Sequence, residues 1–297
     1  MLEGLSAFPL TPLNHDVFDE PSYTRLITRL VEADVDSIAA LGSTGSYMYL
    51  DRAERDRVAR AAIASAANIP VIVGIGALRT SQVQALADDA QRAGATAVLL
   101  APVSYQALTD DDVFGLFEDV TAALSVPLIV YDNPGTTHVT FTDDLYAAIA
   151  ALPHVASIKI PGVPADPTRA AQRIRDIRDR VPADLAIGIS GDGAAAAGLA
   201  AGCNVWYSVI AGTLPHLAQT ITRAALAGDA QTAHAESDRL QPLWNLFAQH
   251  GSFRVTAAIA EHLGLVPQNS LPRPVRGLNA SDRTTVIEVV ENLHLAN

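Results

Sequence analysis

The chain has 297 residues, 49% of them apolar and 18% charged, and a formal net charge of −12. Such a length and composition describe an ordinary globular protein, either one large barrel or two average domains, and exclude a disordered chain. An acidic balance without a clustered basic face excludes nucleic acid as a partner, and the apolar runs fall well short of the roughly 20 residues of a membrane-spanning helix.

The opening residues, MLEGLSAFPLTPLNHD, have no basic segment ahead of an apolar stretch and do not read as a signal peptide. A first strand, GLSAF at 4–8, precedes the helical pattern PSYTRLITRLVEA; SIAAL at 37–41 precedes DRAERDRVARAAIASAA; PVIVGIG at 70–76 precedes TSQVQALADDAQRAG; AVLLAP at 97–102 precedes DDDVFGLFEDVTAAL. The rhythm continues through PLIVYD at 127–132, VASIKI at 155–160, LAIGIS at 185–190 and VWYSVI at 205–210, separated by TDDLYAAIAALP, DPTRAAQRIRDIRDRV and a short GAAAAGLAAG. Apolar stripes of helical period, several opened by a capping Ser, Thr or Asp, mark the intervening stretches as helices. Eight such units predict an α/β fold, a (β/α)8 TIM barrel, as the catalytic domain over residues 1–225. The patterns TAHAESDRLQPLWNLFAQH, SFRVTAAIAEHLGL and SDRTTVIEVVENLHLA then predict a C-terminal helical region over 226–297. Cys203 is the one cysteine; it cannot form an internal disulfide, and a cytoplasmic location is expected.

Of twenty basic residues nineteen are arginine, and Lys159 is the only lysine. Side chains alternate along a strand, so Val155, Ser157 and Lys159 share one face, while the aliphatic Ile158 and Ile160 suit the helix-packing face. Lys159 therefore points into the barrel, late in its strand, at the rim where barrel enzymes keep their chemistry. Tyr131, one unit earlier, shares the inward face with Ile129, and neighbouring strands lie about 4.8 Å apart, so phenol and amine are expected side by side. An amine of ordinary pKa near 10.4 is uncharged in about one molecule in 2,500 at neutral pH; a burial-driven fall to about 7.5 raises the free amine roughly 600-fold. Such a lysine forms a Schiff base with a ketone, and a neighbouring phenol can move the protons. The plain alternative is a lysine surviving by chance in an arginine-biased chain, but a chance survivor belongs on a solvated helix, not inside a barrel.

At the end of the second strand, ALGSTGSYMYLDRAER brackets Ser43 and Thr44 between glycines. Hydroxyls and free N–H groups in such a turn can hold a carboxylate without bringing a rival charge, although a plain Gly-Ser turn reads the same way. Together GSTGS at 42–46, YDNPGTT at 131–137 and IKIPG around Lys159 resemble the dihydrodipicolinate synthase/N-acetylneuraminate lyase family of Schiff-base (class I) aldolases, and the likeness runs from AFPLTPL through SGDG and YSVIAG to the C-terminal helices. The resemblance implies a lyase acting on a pyruvate-type 2-keto acid. Lys159 would form the imine, Tyr131 would relay protons, and Ser43 and Thr44 would bind the substrate carboxylate. It also implies a homotetramer of two tight dimers, with Tyr105 of APVSYQALTDD delivered across the dimer interface, and a substrate pocket lined by Gly191 and Ser208.

The departures from the family pattern bear on substrate. Thr136 stands where enzymes making dihydrodipicolinate carry an arginine that grips the second substrate's carboxylate, and one hydroxyl does not replace a bidentate charged grip. Gly193 stands where sialic acid lyases tend to carry an acid for sugar hydroxyls; Ser46 and Asp132 also depart from the pattern. The expectation is thus an aldolase or dehydratase for another 2-keto acid, such as a 2-keto-3-deoxy sugar acid. Dihydrodipicolinate synthase or N-acetylneuraminate lyase proper is the alternative, and an inactive keto-acid-binding or regulatory protein is the alternative of another class. Arg79 reads as a solvated helix-start residue, and Trp206, Trp244 and FAQHGSF as core or subunit contacts. His138 and His154 form no metal-ligand spacing, and GIGALR and SGDG lack nucleotide-site glycine patterns, so neither metal nor cofactor is expected.

Overall fold

The computed structural model describes residues 2–295. Among them, eight parallel strands close into a barrel: β1 (Gly4–Ala7), β2 (Ser37–Ala40), β3 (Val71–Gly74), β4 (Ala97–Leu100), β5 (Leu128–Tyr131), β6 (Val155–Ile160), β7 (Ala186–Ile189) and β8 (Val205–Ser208). The ring is completed by β8 against β1, with Gly4 opposite Val205 and Ala7 opposite Ser208. A short antiparallel ribbon, Leu13–Asn14 with Val17–Phe18, follows β1.

Strand alternation sorts the core into two layers. Outward residues such as Ile38, Val130, Ile158 and Ile187 join the helices in one large apolar cluster, and each buried Leu, Ile or Val there contributes about 1.5–3 kcal/mol. Inward residues, among them Ala39, Ile72, Leu99, Ile129 and Tyr207, form a second cluster that fills the lumen. The helices start where their caps dictate. Asp51 and Glu54 close a capping box on Arg52–Ser65, and Thr109 and Asp112 do the same on Asp110–Thr121.

Seven of the eight strands are one to three residues shorter than the sequence reading, and two departures from that reading have a local cause. The last strand ends at Ser208 instead of Ile210, because the N–H groups of Val209 and Ile210 turn to the carboxylate of Asp192. The stretch TAHAESDRLQPLWNLFAQH forms two helices, Ala230–Arg239 and Gln241–His250, since Pro242 has no N–H to continue the first and suits the opening turn of the second. These helices, with Ser252–His262 and Ala280–Asn292, share the outer cluster through Leu240, Leu243, Val255 and Val286. No helix among the described residues is long and apolar enough to cross a membrane.

Candidate active site

The barrel ladder sets Tyr131 directly opposite Lys159, and Lys159 directly opposite Gly188 on the other side. Gly188 is obligatory there: a Cβ would lie 2.2 Å from the Tyr207 ring, which occupies the space. Lys159 is 2% exposed, and its Nζ lies 3.9 Å from the ring centre of Phe8, 4.0 Å from that of Tyr131 and 5.8 Å from that of Tyr207. None of the ion pairs among the described residues includes it. Burial therefore pushes the amine down to about 7, against an opposing pull from Asp192. The aromatic faces favour a cation at this spot but accept no proton, so they suit an iminium as well as an ammonium.

Tyr131 is buried with its hydroxyl in a small polar knot. It accepts from Nδ2 of Asn133 at 2.9 Å and lies 3.4 Å from Oγ of Ser43, to which Asn133 Nδ2 also donates at 3.3 Å. Burial pushes the phenol up to about 12, with the Ser43 hydrogen bond opposing, so it holds its proton at neutral pH. Ser43 and Thr44 lie in the turn after β2, which passes through a left-handed Ser46 (φ 59°), and both line the same cavity as Lys159 and Tyr131. Gly191, with φ +80°, lines it as well, in a conformation that an L side chain rarely adopts.

The other residues singled out by sequence are placed differently. Thr136, on the turn Pro134–Thr137, is exposed at the cavity rim and donates Oγ1 to the carbonyl of Asn133 at 3.4 Å. Tyr105 stands 90% exposed on the loop after β4 and does not line the cavity of its own chain. Arg79 is exposed at the start of Thr80–Ala93, away from the cavity. Ser208 does not face the lumen. It follows the inward Tyr207, so its side chain turns the other way, and its Oγ accepts from the N–H of Ala211 at 3.1 Å.

Sequence reasoning passed over several lining residues. Tyr207 takes the lumen position expected of Ser208, since it shares its face with the inward Val205 while Ser208 shares that of the outward Trp206, and Phe8 continues the inward parity of Gly4 and Ser6. Asp192 gave no such signal. It accepts from Trp206 Nε1 at 3.0 Å and from the N–H groups of Val209 and Ile210 at 3.1 and 2.7 Å, tying the loops after β7 and β8 together. Burial raises its pKa while those donors pull it down. Asp132 accepts from the Tyr146 hydroxyl and is pushed up to about 6, mainly by burial, with that hydrogen bond opposing. Trp206 and Trp244 are core, as expected, and Trp244 also lines the cavity, together with Phe247 and Phe253.

The cavity measures about 820 Å³. Around the amine stand the hydroxyls of Ser43, Thr44 and Tyr131 and the amide of Asn133, a donor set suited to a carbonyl and a carboxylate. A profile of the dihydrodipicolinate synthetase family matches residues 1–293. The chain belongs to this family. It is 32% identical to the 4-hydroxy-tetrahydrodipicolinate synthase of Methylococcus capsulatus, over 96% of this chain and 97% of that one. Among solved structures it resembles a dihydrodipicolinate synthase from Agrobacterium tumefaciens, with a TM-score of 0.94, 44% identity and 98% of each chain covered. It also resembles the chloride-inhibited dihydrodipicolinate synthase of Acinetobacter baumannii complexed with pyruvate, with a TM-score of 0.90, 25% identity, and 99% of this chain and 100% of that one covered. Membership accounts for the barrel.

Proposed function

We propose that this protein is a Schiff-base lyase for a pyruvate-type 2-keto acid, with Lys159 as the amine. The observation that carries this reading is the state of that amine. It is the only side-chain amine in the chain, buried among aromatic faces, paired with no carboxylate among the described residues and lowered to about 7. Nζ adds to the C2 carbonyl, and loss of water leaves an iminium. The protonated Tyr131 hydroxyl, backed by Ser43 and Asn133, supplies a proton to the departing oxygen and recovers it later. Ser43 and Thr44 hold the C1 carboxylate by hydrogen bonds. Loss of a C3 proton gives an enamine, which attacks an aldehyde; the reverse sequence cleaves a 4-hydroxy-2-keto acid. The iminium is itself the electron sink, so this chemistry calls for no cofactor.

The same reading includes a homotetramer of tight dimers in the cytoplasm, with Tyr105 completing the proton path of a neighbouring subunit. Support comes from the loops after β2, β3 and β4, adjacent strands that carry Tyr49, Leu78 and Tyr105 at 49%, 57% and 90% exposure. Exposed apolar groups gathered on one side of a rim suit a subunit contact.

Borohydride reduction in the presence of pyruvate, followed by peptide mapping, tests the assignment. The expected product is a covalent adduct on the peptide containing Lys159, absent from Lys159→Ala. An unlabelled Lys159 in folded protein overturns the reading, and a labelled one without turnover of any aldehyde favours the binding protein over the enzyme.

A further inference from the structure

The inner end of the cavity accounts for a three-carbon keto acid, but the volume of about 820 Å³ extends well beyond it toward the C-terminal helices. That outer space has a distinct chemistry. Trp244 and Phe247, with ring centres 5.6 Å apart, line it together with Ala248, Gly251, Ser252 and Phe253. The indole donates its single N–H to the Ser237 carbonyl at 3.0 Å, so the surface it turns to the cavity is hydrocarbon. Gly193 packs beneath it, 3.4 Å from Trp244 Cβ and Cγ measured from an ideal Cβ, and contributes no polar group. No arginine or histidine is among the described residues lining the cavity, and its one cation is the reacting amine. Its two acids, Asp132 and Asp192, oppose a second carboxylate. Thr136, at the rim, directs its hydroxyl back to Asn133.

Resting on the lyase reading above, we infer that the electrophile joined to, or released from, the keto acid is an uncharged apolar aldehyde, aromatic in its best form, held against Trp244 and Phe247. The two rings are tilted by 60° and Trp244 is 5% exposed, so an apolar ring packs chiefly on the half-buried Phe247, beside the indole surface left open. A carboxylate-bearing aldehyde finds no counter-ion, and a polyhydroxy aldehyde must desolvate several hydroxyls where the C-terminal helices offer only that of Ser252. This displaces the sugar acid suggested by sequence. In the step itself, C3 of the enamine bonds to the aldehyde carbon and the aldehyde oxygen becomes an alkoxide. That alkoxide takes up the equivalent of the proton lost from C3, and water then releases the 4-hydroxy-2-keto acid from Lys159.

The test measures kcat/KM of the wild-type protein with pyruvate and three aldehydes: benzaldehyde, succinic semialdehyde and glyceraldehyde. Benzaldehyde is expected to lead by about 10-fold or more. Trp244→Ala is expected to lose about 10-fold with benzaldehyde, and Phe247→Arg, which places a cation in the outer space, to shift preference toward succinic semialdehyde. Equal or higher rates with the anionic or polyhydroxy aldehyde overturn the inference. So does an absence of turnover with all three while pyruvate is still trapped on Lys159. Failure of trapping itself falls on the lyase reading instead.

Discussion

Among the described residues two basic side chains, Arg55 and Lys159, are buried, and they are treated in opposite ways. Arg55, on the helix Arg52–Ser65, is 5% exposed and donates Nη1 to the Gly76 carbonyl at 2.9 Å and Nη2 to the Gly74 carbonyl at 2.8 Å. Its guanidinium also lies 5.4 Å from the ring centre of Tyr47, in the turn that leads from Ser43 and Thr44. Burial lowers it to about 10, with Tyr47 opposing, and it remains charged at neutral pH. Lys159, buried to the same degree, is brought to about 7. The difference lies in the partners. Carbonyl acceptors repay much of the desolvation of Arg55 and make it a tie between a helix and the end of β3. Aromatic faces repay less for Lys159, and what is left unpaid keeps part of the amine free to react.

If that contrast is right, the groups around Lys159 matter for rate and those around Arg55 for stability. Tyr131→Phe keeps the ring beneath the amine but removes the hydroxyl that lies between Asn133 and Ser43. A fall in kcat of about 100- to 10,000-fold is expected, with unfolding midpoints close to wild type. Steady-state turnover alongside urea unfolding distinguishes this from the opposite pattern, intact turnover in a weakened fold, which would make Tyr131 a packing residue.

Next in size is Arg55→Met. It leaves the carbonyls of Gly74 and Gly76 without their donors, and the fold is expected to lose about 2–4 kcal/mol in urea unfolding at pH 7. A change below about 0.5 kcal/mol would remove Arg55 from the comparison as a mere passenger.

How much of this was legible beforehand follows from the range of the forces involved. Strand alternation is local, so the barrel and the inward aim of Lys159 and Tyr131 could be read from VASIKI and PLIVYD, with β6 ending at the residues expected. In VWYS the same rule puts Tyr207 and Ser208 on opposite faces without saying which is inward, and the structure gives the lumen to Tyr207, against the sequence reading of Ser208. Asp192 was not legible, because its partners lie 14 to 18 residues away on another loop and carry no mark in the sequence. Trp244 and Phe253 arrive at the mouth from helices beyond the barrel, and an amphipathic pattern does not say what a helix covers. Arg55 reads as one more arginine on a charged helix until β3 is seen to end beneath it.

The smallest expected effect has the sharpest sign. The ordinary amine pKa of 10.5 is lowered to about 7 in the folded chain, chiefly by burial. Between those values the unfolded chain holds a proton that the folded chain has shed, so this group makes stability rise with pH across that window. Below about pH 7 both forms are charged, the slope disappears, and the folded state carries the full cost of a buried ammonium. Lys159→Met keeps the length of the stem and removes the charge, and it is expected to stabilise the protein by about 1–3 kcal/mol at pH 6. The gain should shrink toward pH 10, where the wild-type amine is already neutral. Urea unfolding of both proteins at the two pH values reads the difference directly. A gain independent of pH would assign it to packing alone, and a loss at pH 6 would mean that the aromatic faces hold the ammonium more tightly than water does.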